Sequence, residues 1–377
     1  MNTPRIRRTG YRRSTIILAA SSSALLLTAC AAIGGGDTRT SSASLYREDI
    51  TVGLLLPDRD TARFEKFDYP TVKREVASLT RGKGKVDYAN AETSVSKQSQ
   101  QFRRMVSEKV DVILVDALDP KRIASEVQEA QDAGIPVIAY DRLAQGPISA
   151  FVSHDNELVG EEQGRAIDEA LGDRASGSNV VMLNGDPADP NSAQFKMGAL
   201  GELTNRVDIV QQYDVTKWSP AVAKRDMNHA IRSIGLRNIA AVYAANDGLA
   251  GAAIDALKKA GAIAIPPVTG QDANLDAVQR IVAGQQYMSV YKPFVDEATD
   301  AAKLAINKVQ GRNIEFDGLT PDRVDSPTQK DIPTKLVPVI ALTRNTIKQT
   351  VIADGVYTIR QICTAPYAAR CVAIGLE

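Results

Sequence analysis

An acid and a base stand side by side at Asp141-Arg142, two residues after the apolar run Ile135 to Ala139. A strand made for burial would ordinarily refuse such charges. The pattern recurs: Leu56 is followed by Pro57-Asp58, Val115 by Asp116, Leu183 by Asn184-Gly185-Asp186, Ala245 by Asn246-Asp247 and Gly270 by Gln271-Asp272. Carboxylates, amides and a guanidinium fork together suit a neutral ligand carrying many hydroxyls, because a missing hydroxyl leaves a buried partner unpaired. Two bland readings stand beside this one. Asp141-Arg142 could be a surface ion pair of little energetic consequence. Asp58, Asp116 and Asp247 are at least as well placed to cap the helices that follow them as to touch a ligand. Trp218 is the only tryptophan and sits in the polar setting "TKWSP", where its flat face is available for stacking.

The elements that must position these groups are short apolar runs alternating with helix-period segments. Ile50 to Leu56, Val110 to Val115 and Pro136 to Ala139 read as buried parallel strands, with helices over 62–79, 94–108 and 121–133 between them. Gly134 then Pro136 ends the third helix and opens the next strand. The alternation resumes with strands at 179–184, 207–213, 239–245 and 266–270 and helices at 192–203, 220–233 and 249–260. Two α/β halves result, as 377 residues require of a chain too long for one core. In open parallel sheets the carboxyl ends of the strands line one edge, where ligands bind.

Composition removes several function classes. Lys plus Arg and Asp plus Glu both total 45, so nothing electrostatic points to a nucleic-acid partner. Two histidines and three cysteines lack metal-ligand spacing, and no metal or cofactor is expected. Residues 1–30 carry five arginines ahead of a short apolar stretch broken by serines, an export signal shorter than the roughly 20 apolar residues of a membrane span. Leu27-Thr28-Ala29-Cys30 resembles a bacterial lipobox, which makes Cys30 the lipid acceptor and 31–47 a flexible linker. The mature body is then expected outside the cell membrane, held to its outer face by acyl chains.

Eight segments, in order, carry a family likeness: "PVIAYDRL", "FVSHDNELVGEEQGR", "MLNGDPADPNSAQFKMG", "WSPAVAKRDMNHAI", "AAVYAANDGLAGAAIDAL", "TGQDANLDAVQRIVAG", "MSVYKP" and "NTIKQTVIADGVY". They resemble the D-xylose-binding branch of the ribose/galactose-type periplasmic binding proteins of bacterial ABC sugar importers, over about 50–357. The resemblance implies an α/β fold of two Rossmann-like lobes with parallel sheets, joined by a three-strand hinge that closes on one sugar. The first lobe is expected at 48–148 plus 292–330, the second at 149–291 plus 331–377. The implied ligand residues are Arg63, Phe64, Asp141, Arg142, Asp189, Asn191, Trp218, Asn246, Asp272 and Lys292. His154 stands where relatives usually have phenylalanine, either as a structural histidine or, facing the cleft, as a modifier of sugar preference.

The implied partners are a monosaccharide such as D-xylose and an ABC permease, for a protein working as a monomer without enzymatic activity. The acids at the strand ends are compatible with a glycosidase dyad, but the sequence provides no recognisable nucleophile-base pair or metal motif, and a sugar-responsive regulator would need a DNA-binding headpiece where this chain has an export signal. A sensor presenting sugar to a signalling receptor remains the alternative role. Cys363 and Cys371 lie in a tail beyond the likeness, where a disulfide contributes roughly 2–3 kcal/mol in the chain-entropy picture and two free thiols are the other outcome.

Overall fold

Runs of β-branched and leucine side chains without a 3.6-residue period pair as strands buried on both faces. The computed structural model describes residues 46–377 except 60 and 62. Its strands are, in chain order, β1 (Thr51–Leu56), β2 (Lys85–Asn90), β3 (Val112–Val115), β4 (Val137–Tyr140), β5 (Ala150–His154), β6 (Asn179–Asn184), β7 (Asp208–Asp214), β8 (Ala241–Ala244), β9 (Ser289–Tyr291), β10 (Asp322–Val324), β11 (Ile332–Val337) and β12 (Ile340–Leu342). The signal segment 1–30, the lipidation site Cys30 and the linker up to residue 45 lie outside the described residues. Among the described residues no helix is long and apolar enough to cross a membrane.

Seven strands form one sheet in the order β2-β1-β3-β4-β5-β11-β10, parallel except where β10 meets β11. Alternation feeds two cores from the same strands. Val52, Leu54, Val112, Leu114 and Ile138 face one way, toward the helix Phe294–Val309, while Leu55, Ile113, Val115, Val137 and Ala139 face the helices Val95–Ser107 and Ala124–Asp132. A second parallel sheet runs β7-β6-β8 and is continued by the single bridges Val242 to Val268 and Gln271 to Val290. β9 pairs antiparallel with β12.

The chain passes between the two sheets three times: after β5, after β9 and after β11. The expected boundaries at 148/149 and 330/331 therefore cut off strands of the seven-stranded sheet, since β5 and β11 follow those points and pair there with β4 and each other. Each strand completes its ladder before the chain leaves. Two further differences have local causes. β2 is an edge strand of half-exposed residues and shows no apolar run. The segment at 266–270 makes only the bridge at Val268, because Pro266 and Pro267 have no N–H to donate.

In the smaller sheet's lobe, the helices Asn156–Leu171 and Pro190–Leu203 approach until their backbones nearly touch. A Cβ at Gly160 would fall 2.0 Å from the Phe195 carbonyl oxygen, and one at Gly198 2.0 Å from that of Glu157. The tail is stapled by a disulfide between Cys363 and Cys371 and packs on the helix Leu275–Ala283 through Ile362, Cys371 and Leu376. Replacing Gly198 by alanine is expected to destabilise the protein by about 1–3 kcal/mol through overpacking. Alanine at Gly201, in the same helix with nothing within 4 Å of the new Cβ, should be neutral or stabilising by up to about 1 kcal/mol. Urea denaturation of both variants checks the contrast.

Candidate functional site

β4 ends at Tyr140, and the Arg142 amide donates to the Tyr140 carbonyl at 2.6 Å, which closes a three-residue turn around Asp141. Asp141 takes φ +57° in that turn. The turn splays the charged pair: Asp141 faces Arg63 and Asn191, whereas Arg142 faces Asp189. Trp218 (φ +52°) and Asp272 (φ +92°) also lie in the left-handed region. Such conformations cost on the order of 1–3 kcal/mol each and persist where the surroundings over-determine them. Backbone strain is thus stored at three of the residues the sequence singles out.

Ten of the eleven expected residues, all but His154, line one cavity of about 390 Å³ between the two sheets, completed by Thr61, Phe195 and Gln271. It opens into a crevice of about 1570 Å³ that shares Arg142, Asp189, Trp218, Asn246 and Asp272. Asp189 joins the two sides. Its Oδ2 accepts from Arg142 Nε at 2.9 Å and from Trp218 Nε1 at 3.1 Å, while its Oδ1 accepts the Asn191 amide at 2.9 Å and so caps the helix Pro190–Leu203. Asn191 Nδ2 crosses back to Asp141 Oδ1 at 2.8 Å. Asn246 caps the helix Asp247–Lys259 through Oδ1, which leaves its amide nitrogen as a donor at the cavity wall.

Arg63 is placed at the wall, yet its donors are largely spent inside the protein. It donates to Asp68 at 3.0 and 2.8 Å, to Asp141 at 2.6 Å, to Tyr140 at 3.3 Å and to Glu297. Phe294 stacks beneath it, 4.1 Å from guanidinium carbon to ring centre. Its first task is to fix Asp141. Burial alone would raise the Asp141 carboxyl, but Arg63, then Lys292 and Arg142, hold it down at about 2. Lys292 pairs with Asp272 at 2.8 Å. Burial pulls its ammonium down, and Asp272 and Asp141 more than offset this, leaving it raised. Asp189, by contrast, is raised by burial despite Arg142. Phe64 is 2 % exposed and presents the edge of the core cluster to the cavity.

His154 is a correction. It ends β5 and turns to the helix Phe294–Val309, with Nδ1 3.5 Å from Glu297 Oε2 and its ring edge-on to Phe294 at 6.2 Å. It lines a neighbouring cavity with Phe151 and Asn156 instead of the shared one. Burial, then Lys292 and Arg63, push the imidazole well below its ordinary range, so it is neutral. The capping expectations also change. Asp58 holds a turn by accepting the Thr61 amide at 2.7 Å, Asp116 caps nothing, and Asn246 takes the cap position expected of Asp247.

Asp247 instead accepts from Gln286 at 2.7 Å, Ser289 at 2.9 Å and the Asn274 amide at 2.9 Å. It thereby ties down the Asp272 turn, and burial pushes its own carboxyl up to about 7. Of the wall residues the sequence reading missed, Gln271 stands in the same "GQD" as Asp272. Phe195 reads only as an apolar helix face. No group of three or more His, Cys, Asp or Glu among the described residues could hold a metal ion.

Two sheets linked by three crossings, with a polar cavity at the strand ends between them, define a two-lobed solute-binding architecture. The chain belongs to the periplasmic binding protein family: the family's periplasmic binding protein domain matches residues 52–313. It is 32% identical over 321 residues to the D-xylose-binding periplasmic protein of Escherichia coli (strain K12), covering 84% of this chain and 93% of the relative. It is 28% identical over 336 residues to a multiple sugar-binding periplasmic receptor of Rhizobium radiobacter, covering 83% and 92%. Among solved structures, an ABC transporter solute binding protein from Clostridium phytofermentans with bound beta-D-glucose superposes with a TM-score of 0.70 at 24% identity, covering 83% of this chain and 99% of that one. One from Bacillus halodurans with bound myo-inositol gives 0.69 at 20%, covering 83% and 100%. These two share the fold.

Two outcomes are expected from this geometry. A Cβ at Gly185 would lie 2.2 Å from Trp218 Cη2 and 2.4 Å from Ser192 Oγ, so Gly185→Ala should shift the indole, read as a change in Trp218 fluorescence with little loss of helicity. Burial raises the Glu297 carboxyl to about 8 against the opposing pull of Arg63. A raised acid contributes stability that is fully present below its unfolded value, about 4.3, and lost as pH rises through the folded value. Wild-type stability should therefore fall between about pH 4 and 8. Glu297→Gln should flatten that fall in denaturation curves collected across the range.

Proposed function

We propose that this protein is an extracytoplasmic, lipid-anchored solute-binding protein. It captures a monosaccharide, D-xylose first among them, in the interlobe cavity and delivers it as a monomer to an ABC transporter permease. One observation carries the reading: Asp141 and Arg142 from one sheet and Asp189, Asn246 and Asp272 from the other converge on a single cavity, with Trp218 at its wall. Three acids (Asp141, Asp189, Asp272) stand against three bases (Arg63, Arg142, Lys292) there, a balance suited to a neutral ligand. Sugar hydroxyls act as donors to the carboxylates and acceptors from the cations, and the C–H face of a pyranose suits an indole. The names of the relatives from Escherichia coli and Rhizobium radiobacter support a sugar as ligand.

Binding is favoured over catalysis because Asp141, Asp189 and Asp272 are each engaged by Arg63, Arg142 or Lys292, an arrangement that directs their oxygens to orienting a ligand. Closure follows from the ligand touching both lobes at once, a contact available only in the closed form. The lipid anchor rests on the Leu27-Thr28-Ala29-Cys30 sequence.

Calorimetric titration with D-xylose, ribose, arabinose, glucose and galactose tests the proposal. D-xylose is expected to bind most tightly, and Trp218→Ala to weaken it by about 10- to 100-fold. Absence of heat for every sugar in the panel at millimolar concentration would overturn it.

A further inference from the structure

We propose that Asp116 is a positioning residue that holds Arg142 within the first lobe when the cleft is open, and so sets how readily the lobes close on the ligand. The inference rests on the sugar-binding reading above for its consequence, though its mechanism concerns the two lobes alone.

Asp116 follows β3 and is wholly buried, and neither carboxylate oxygen has a hydrogen-bond partner among the described residues. Buried polar groups in native proteins are almost always satisfied, so such an exception calls for a physical reason. The backbone around it is pinned: its amide donates to Leu55 O at 2.9 Å, its carbonyl accepts from Gln98 Nε2 at 2.8 Å, and Gln98 Oε1 accepts the Leu118 amide at 2.9 Å. The backbone that carries the carboxyl is therefore fixed close to Arg142.

Arg142 Nε lies 2.9 Å from Asp189 Oδ2 in the opposite lobe and 3.6 Å from Asp116 Oδ1 in its own. Only the first is a hydrogen bond. A single N–H thus stands between two carboxylates, one of which departs when the lobes separate. A guanidinium that loses one carboxylate is drawn to the other carboxylate beside it, all the more where that carboxylate is buried. Asp116 is the carboxylate to which Arg142 turns as Asp189 withdraws. Closing reverses the exchange: Arg142 swings to Asp189 and Asp116 loses its partner.

This exchange moves a proton. The charged groups facing Asp116 are Arg142 and Arg63, which favour its ionised form, and Asp141 and Asp189, which oppose it. In the closed form burial dominates and drives its carboxyl well above the ordinary range. Opening brings Arg142 into contact and takes Asp189 away, and both changes favour ionisation. The closed form therefore binds one more proton than the open form. Ligand affinity should fall as pH rises, by at most tenfold per pH unit, between the two carboxyl values.

The test uses Asp116→Asn, which is isosteric and mimics the uncharged closed state, with Asp116→Ala as a second route to the same loss of charge. D-xylose affinity and dissociation rate are measured from pH 5 to 8. Wild-type affinity should weaken with pH. Both variants should show a flat profile, with tighter binding and slower dissociation than wild type at pH 8. In parallel, the emission of Trp218, whose indole donates to Asp189 in the closed form, is followed without sugar; it should titrate in wild type and not in either variant. Variants that keep the wild-type pH slope, or bind more weakly at every pH, would overturn the role of Asp116. Failure of all sugars to bind while the sugar-free emission still titrates would overturn the proposed ligand and leave the Arg142 exchange standing.

Discussion

A guanidinium taken out of water must find a carboxylate, and in this protein the carboxylate that Arg142 finds belongs to the other lobe. The 2.9 Å contact to Asp189 joins the end of β4 to the loop after β6. Asp189 is only 7 % exposed and Arg142 8 %, so neither charge is screened as a surface pair would be. The attraction between these two ions offsets their desolvation while the lobes stand together. Additional donors and acceptors brought by a ligand complete the hydrogen bonding that the pair alone leaves unfinished, and this links recognition to closure in one set of atoms.

Behind the wall a second layer fixes the first. Arg63 spends its donors on Asp68, Tyr140, Glu297 and Asp141, which leaves Asp141 little freedom to rotate. On the far side Asp247 does the equivalent work beneath the Asp272 turn through Gln286, Ser289 and the Asn274 amide. These supports explain how Asp141 and Asp272 persist at positive φ. Strain of about 1–3 kcal/mol per residue survives only against such a framework. The recognition groups are consequently preorganised, and little ordering entropy is lost when a ligand arrives.

The parallel sheets were legible in the sequence because strands covered on both faces read as unbroken apolar runs, as at Leu54-Leu55-Leu56 and Val112 to Val115. The convergence of polar strand ends followed from topology. What the sequence concealed depends on orientation. His154 sits at a strand end like the cleft residues, but its register in β5 turns it toward Glu297 and Phe294. Arg63 enters through the resemblance as a ligand residue, yet its partner Glu297 lies 234 positions away. Asp116 and Asp247 carry the residue type of a cap, and only the path of the backbone decides that Asn246 does the capping and they do not.

The tail after residue 357 lies beyond the family likeness, but its position ties it to the site. Arg63 and Phe64 begin a π-helical turn, Phe64–Asp68, whose opposite side carries Lys66 and Phe67. Lys66 Nζ lies 4.4 Å from the centre of the Tyr357 ring and 4.9 Å from that of Phe67, and Phe67 packs at 6.1 Å on Phe294, just past the second crossing between lobes. Contacts of this kind contribute about 0.5–2 kcal/mol, less where water reaches them. Tyr357 in turn belongs to the apolar cluster built on Ile281, Ile362 and Cys371, so the disulfide-bonded segment and the helix Leu275–Ala283 form its backing. The turn that presents Arg63 and Phe64 to the cavity is therefore held from behind by the second lobe and the tail, which makes the tail part of the scaffold against which the hinge works.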